Sequence, residues 1–85
     1  MAKFQEIYPP RAIAANGTAT LGAGVYGIAG FTCVTAGTLT VSDANGTYIT
    51  AMAVSAGVYY PMPMALNSGV VVLAGGAVGC LYIVQ

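Results

Sequence analysis

Charge is what this sequence has least of. Its 85 residues include two basic and two acidic side chains, with no histidine and no tryptophan. Lys3, Glu6 and Arg11 fall in the first eleven positions, and no charged side chain follows Asp43. Binding to nucleic acid draws on clustered Lys and Arg that displace counterions from phosphates, so two cations argue against that partner. The same shortage removes the repulsion that keeps soluble proteins apart. With a mean hydropathy of +0.81, much of the surface is expected to be covered by other protein. A chain of this length buries only about 60% of the surface its unfolded form exposes, which points to oligomerisation or docking as added support.

The missing histidine also narrows the chemistry. General acid–base catalysis needs positioned titratable groups, and only Glu6, Asp43, Lys3, two cysteines and the tyrosines remain. Asp43 lies in a turn, where a carboxylate bonds nearby backbone N–H groups. Cys33 has no imidazole to draw off its proton, so a cysteine nucleophile is not expected. Two thiols and two scattered carboxylates form no zinc or calcium motif. "GAGVYG" at 22–27 matches a dinucleotide fingerprint by letters alone, because no βαβ unit can surround it. The expectation is a protein that is not an enzyme and holds no cofactor or metal.

Glu6 and the Pro9-Pro10 pair interrupt any apolar run near the start, so no export signal is read there. Cys33 and Cys80 are then expected as thiols, with a disulfide between them as the lesser reading. The sequons at Asn16 and Asn45 are read as turns for the same reason.

What the chain does contain is turn residues at regular spacing. Signals near Asn16, Gly22, Gly37, Asn45, Gly57, Asn67 and Gly75 repeat at the roughly 8–12-residue rhythm of an all-β sandwich or barrel. Residues 1–15 read as an extended arm, because Pro9 and Pro10 fix their own φ and hold Tyr8 extended. Residues 16–85 read as one β domain. Within it, a short strand is predicted at 18–21 and another from Val25 to Phe31, bent near Gly27 or Gly30. Asn45-Gly46 predicts a type I′ hairpin turn. After that turn, Tyr48, Thr50, Met52 and Val54 are expected on one face, with Ile49, Ala51 and Ala53 on the other.

Residues 64–85 could be read as a membrane span with a Gly75/Gly79 small-residue pair. Val70 to Val72, the Gly75-Gly76 turn signal and "CLYIV" at 80–84 instead predict two strands joined by a glycine turn. In "VYYPMPM", residues 58–64, Pro61 and Pro63 remove ladder donors on one side, the mark of an edge strand. That leaves Tyr59, Tyr60, Met62 and Met64 either to meet another protein or to fill the core.

The stretch "YPPRAIAANGTATLGAGVYGIAG", then "AGTLTVSDANGTYITAMAVSAGVYYPMPMALNSGVVVLAGG" and a final apolar strand, resembles small virion accessory proteins of tailed bacteriophages. The shared features are the "NGTATL" opening, the "GTLTVSDANGT" hairpin and a proline-containing strand leading to "LNSGVVV". The resemblance implies an antiparallel, jelly-roll-like β-sandwich that decorates or cements the capsid, commonly as a homotrimer. Its partners would be the major capsid protein and other virion subunits, and its location the virion, assembled in the host cytoplasm. Candidate interface residues are Phe4, Ile7, Tyr8 and Arg11 on the arm, with Tyr59, Tyr60, Met62 and Met64 on the proline strand. A tail, neck or head-fibre position, a holin-like membrane protein, and a carbohydrate-binding module using Tyr59 and Tyr60 are the alternative readings.

Overall fold

Eight strands and no helix make up residues 10–84, which the computed structural model describes. They are β1 (Pro10–Ile13), β2 (Thr18–Thr20), β3 (Val25–Thr35), β4 (Gly37–Asp43), β5 (Gly46–Val54), β6 (Tyr59–Asn67), β7 (Val70–Ala74) and β8 (Val78–Val84). Two four-stranded antiparallel sheets result, sheet A ordered β1-β8-β3-β6 and sheet B ordered β2-β7-β4-β5. Every pair nested about the β4–β5 turn is formed: β4 with β5, β3 with β6, β2 with β7 and β1 with β8. The chain is therefore one long antiparallel ribbon doubled over. Two further pairings, β3 with β8 and β4 with β7, close the ribbon into its sheets.

One core serves both sheets. Ile28, Phe31, Leu66 and Leu81 from sheet A and Leu39, Val41, Val71 and Leu73 from sheet B are buried in a single cluster. In β8 the burial alternates along the strand, as a period of two requires when one face turns inward. Phe31 is the largest fully buried side chain. Its ring lies over Gly79 on β8, where an added Cβ would collide with that ring and with the Thr32 carbonyl.

The glycine run in β3 produces the expected bend. Register shifts between Ile28 and Gly30 against both neighbouring strands, which is a β-bulge. Residues 64–85 cover the end of β6, all of β7 and β8, and the turn between those two strands. Gly75 and Gly76, with φ of 66° and 88°, form that turn. The strands it joins do not pair with each other, since β7 enters sheet B and β8 enters sheet A. No helix among the described residues is long and apolar enough to cross a membrane.

Several local expectations are corrected. Asn45-Gly46 is not a type I′ pair: the loop residues are Ala44 and Asn45, Asp43 faces Gly46, and Asn45 is not among the positive-φ residues. The cause is Asp43 Oδ1, which accepts the Asn45 N–H at 2.8 Å and holds the turn by its side chain. Asn16 does take a left-handed φ of 57°, in a turn closed by Gly17 N–H to the Ala14 carbonyl at 2.9 Å. That turn passes the chain from sheet A to sheet B and forms no hairpin.

The simple alternation in β5 also fails. Register shifts on either side of Val41 leave Tyr48 as an extra residue on β5, and then set Thr50 and Ala51 together opposite Thr40. Ile49 and Met52 both pack against the core as a result. Thr40 stabilises the second bulge by accepting the Ala51 N–H on Oγ1 at 2.9 Å. Within the stretch expected to be an arm, Pro10–Ile13 is strand β1, paired to β8. Residues 1–9 lie outside the described residues.

Adding a methyl to an exposed strand glycine ordinarily stabilises the chain, through lost unfolded-state freedom. At Gly79 the opposite sign is expected, because the methyl must displace the Phe31 ring. Gly79→Ala should lower the unfolding free energy by about 1–3 kcal/mol, as overpacking does. Urea unfolding checks this: the midpoint should fall with an unchanged slope, whereas an unchanged or higher midpoint would contradict the packing described.

Candidate interaction surface

Both described charged side chains tie one sheet to the other. Arg11, on β1 at the edge of sheet A, stands opposite inward-facing Leu81. Its Nη1 donates to the Thr20 carbonyl of β2, in sheet B, at 2.8 Å. Asp43 makes the corresponding link from the end of β4. Its Oδ2 accepts the Asn67 N–H of β6 at 2.9 Å, while Oδ1 accepts from Asn45 N–H and, at 2.9 Å, from the Tyr48 hydroxyl. The Asn67 bond, with those from Asn45, Tyr48 and Gly46, holds the carboxyl below its ordinary pKa, against the opposing effect of burial. The bond to Asp43 also pushes the Tyr48 phenol up. Neither charge faces out from the middle of a sheet.

The four sheet edges are each blunted in a different way. β1 has four residues with Pro10 and Arg11, and β2 has three. β5 carries its two bulges and β6 its two prolines. Such devices oppose strand-by-strand addition of another chain. Among the described residues, what stays open is the outer faces.

Sheet A presents the more apolar of these. Register places Pro61 of β6, Gly30 of β3, Tyr82 of β8 and Pro10 of β1 in one outward row. Tyr59, Thr32, Cys80 and Ala12 form the next row, and Ala65, Gly27 and Val84 another. No charge occurs in any of the three. At the centre, Tyr59 lies across the strands: its hydroxyl sits over Gly30, which has no side chain to lift it, and its ring meets Tyr82 edge-on at 5.9 Å. The Thr32 hydroxyl donates to the Tyr82 hydroxyl at 3.1 Å. Sheet B offers mainly hydroxyls and valines instead, with Thr18, Val72 and Thr40 in one row and Thr20, Val70 and Ser42 in the next.

Of the interface residues expected from sequence, Tyr59 is 48% exposed on this outer face. Met62 is buried, and Tyr60 and Met64 pack against the core. They turn inward because they alternate with Tyr59, Pro61 and Pro63 along β6. Tyr60 also uses its hydroxyl to accept the Ser55 N–H at 2.7 Å. Arg11 is exposed but engaged with β2. Phe4, Ile7 and Tyr8 lie outside the described residues. Tyr82 and Thr32 were not singled out by sequence as surface residues, and Gly30 was read only as a bend; the alternation of Cys80, Tyr82 and Val84 in β8 was the available signal.

Cys33 faces the core and Cys80 the outer face, so no disulfide joins them, and both are free thiols. Burial pushes the Cys33 thiol up, and its Sγ donates to the Thr35 carbonyl at 3.1 Å. No group of three metal-ligating side chains occurs among the described residues.

Folding lowers the Asp43 pKa, so its contribution to stability is complete above the ordinary carboxylate value near 3.9 and is lost as pH falls through the folded value. Asp43→Ala should melt at a lower temperature than the native chain at neutral pH. The gap between the two should narrow as pH falls below the ordinary carboxylate value near 3.9. Circular dichroism melts from neutral pH to below that value test this, and a gap independent of pH would remove the carboxylate from the inter-sheet link. No protein-family model, curated protein or solved structure matches the chain.

Proposed function

We propose that this chain is a structural virion protein, a capsid decoration or cement subunit that stabilises a phage head by packing its outer faces against neighbouring subunits. The observation that carries the reading is the outer face of sheet A, uncharged among the described residues and crossed by Tyr59 and Tyr82, on a domain whose edges are blunted. Burying such a face strands no charge, and aromatic side chains in the middle of a contact supply much of its energy.

The strand order lends support. Nested pairs wound into orders 1-8-3-6 and 2-7-4-5 support reading the two sheets as a jelly-roll-like sandwich, an architecture recurrent in viral capsid domains. Fold alone does not assign function. The resemblance to phage accessory proteins in the "NGTATL" and "GTLTVSDANGT" stretches points the same way. The corresponding strands are β2 and the β4–β5 hairpin. Apolar surface buried in a lattice contributes roughly 25 cal/mol per Å², so contacts of ordinary size can add substantially to the stability of a domain this small.

Quantitative mass spectrometry of purified virions tests the reading. The chain should be present in fixed proportion to the major capsid protein. Tyr59→Lys should keep a β-type circular dichroism spectrum and yet be depleted from particles at least tenfold. Absence of the native chain from virions would end this proposal.

A further inference from the structure

We infer that the outer face of sheet A mates with the same face of a second copy about a two-fold axis. This rests on reading that face as a contact surface, and is independent of whether the contact occurs in a virion.

The choice of partner follows from charge, position and area. A charged partner surface would have to give up its hydration against a face that offers no counter-charge. A second copy brings an identical uncharged face and no like-charge repulsion across the axis. Isologous contacts need only a self-complementary patch. The edges are blunted, which directs association to faces. Between the two faces, the exposed large apolar side chains decide. Val25, Val34 and Tyr59 belong to strands of sheet A, and Val58 adjoins β6, whereas Tyr48 on sheet B is held by Asp43. Tyr59, packed edge-on against half-buried Tyr82, is the exposed aromatic of that face.

The area sets the strength. Strands of 4, 7, 11 and 9 residues, at about 3.3 Å per residue and about 4.8 Å apart, cover roughly 500 Å² in plan. A standard interface takes about 800 Å² of accessible surface per partner. The contact is thus at the small end, and the dimer dissociates on dilution. A two-fold pair formed this way stands in place of the trimer that the phage resemblance implied.

Sedimentation equilibrium of the full chain over a wide concentration range is the test. The mass should climb from 8.5 kDa toward twice that value. Thr32→Lys, at the centre of the face, should stay monomeric at concentrations where the native chain is dimeric. An equimolar mixture of Thr32→Lys and Thr32→Glu chains should recover association. A monomeric native chain throughout, or a Thr32→Lys chain that associates like the native one, overturns the proposal. Should the substitution prevent folding, the native chain decides through alkylation of Cys80, on the same face. Its rate should drop several-fold as concentration rises through the association range, and a constant rate overturns the pairing. Incorporation into virions by a chain that is monomeric when free would sink the pairing and leave the virion reading standing; a dimer absent from virions would do the reverse.

Discussion

Each sheet must bury one face against the other, and Phe31 is the largest side chain fully buried between them. Its ring reaches from β3 across to β8 by lying over Gly79. The cross-strand arrangement follows from that fit. Gly79 admits the ring, Ile13 and Cys33 flank it on the neighbouring strands, and Leu81 extends the buried row. Core sites of this kind tolerate neither lost nor added volume, because interiors are packed at crystal-like density.

The two described charges act as closures of this core. Arg11 joins the β1 edge to the β2 edge, and Asp43 joins the end of β4 to the end of β6. An inward-pointing charge at a rim is usually an obstacle to further strand pairing. Here each also satisfies backbone groups of the opposite sheet, which neither sheet's own ladder could reach. With Arg11 and Asp43 engaged in internal links, the described residues place no charge on the outer rows of sheet A, which suits that face to contact.

Edge protection and face exposure belong together. Prolines in β6, bulges in β5 and the shortness of β1 and β2 all direct association away from open-ended sheet growth, the hazard for an uncharged β protein. A face contact closes on itself, and its extent is limited by the four strands that form it. The ridge made by Tyr59 and Tyr82 depends on the Gly30 bulge, so the feature that bends β3 also shapes the outer surface.

Much of this was legible in the sequence. Turn spacing predicted an all-β chain, the glycine run predicted the bend in β3, and the proline pair predicted an edge strand in β6, because turn chemistry and missing N–H donors act locally. The facing of side chains was not legible. Tyr59 and Tyr60 are adjacent and chemically alike, yet one lies outside and the other packs inward; the β5 bulges shifted Ile49 to the core, and the Gly75-Gly76 turn linked strands of different sheets. A period of two tells which residues share a face, but polarity must say which face is inside. Where both faces lack charge that signal is silent, and only the register of the strands and the bulk of side chains meeting across the core decided it.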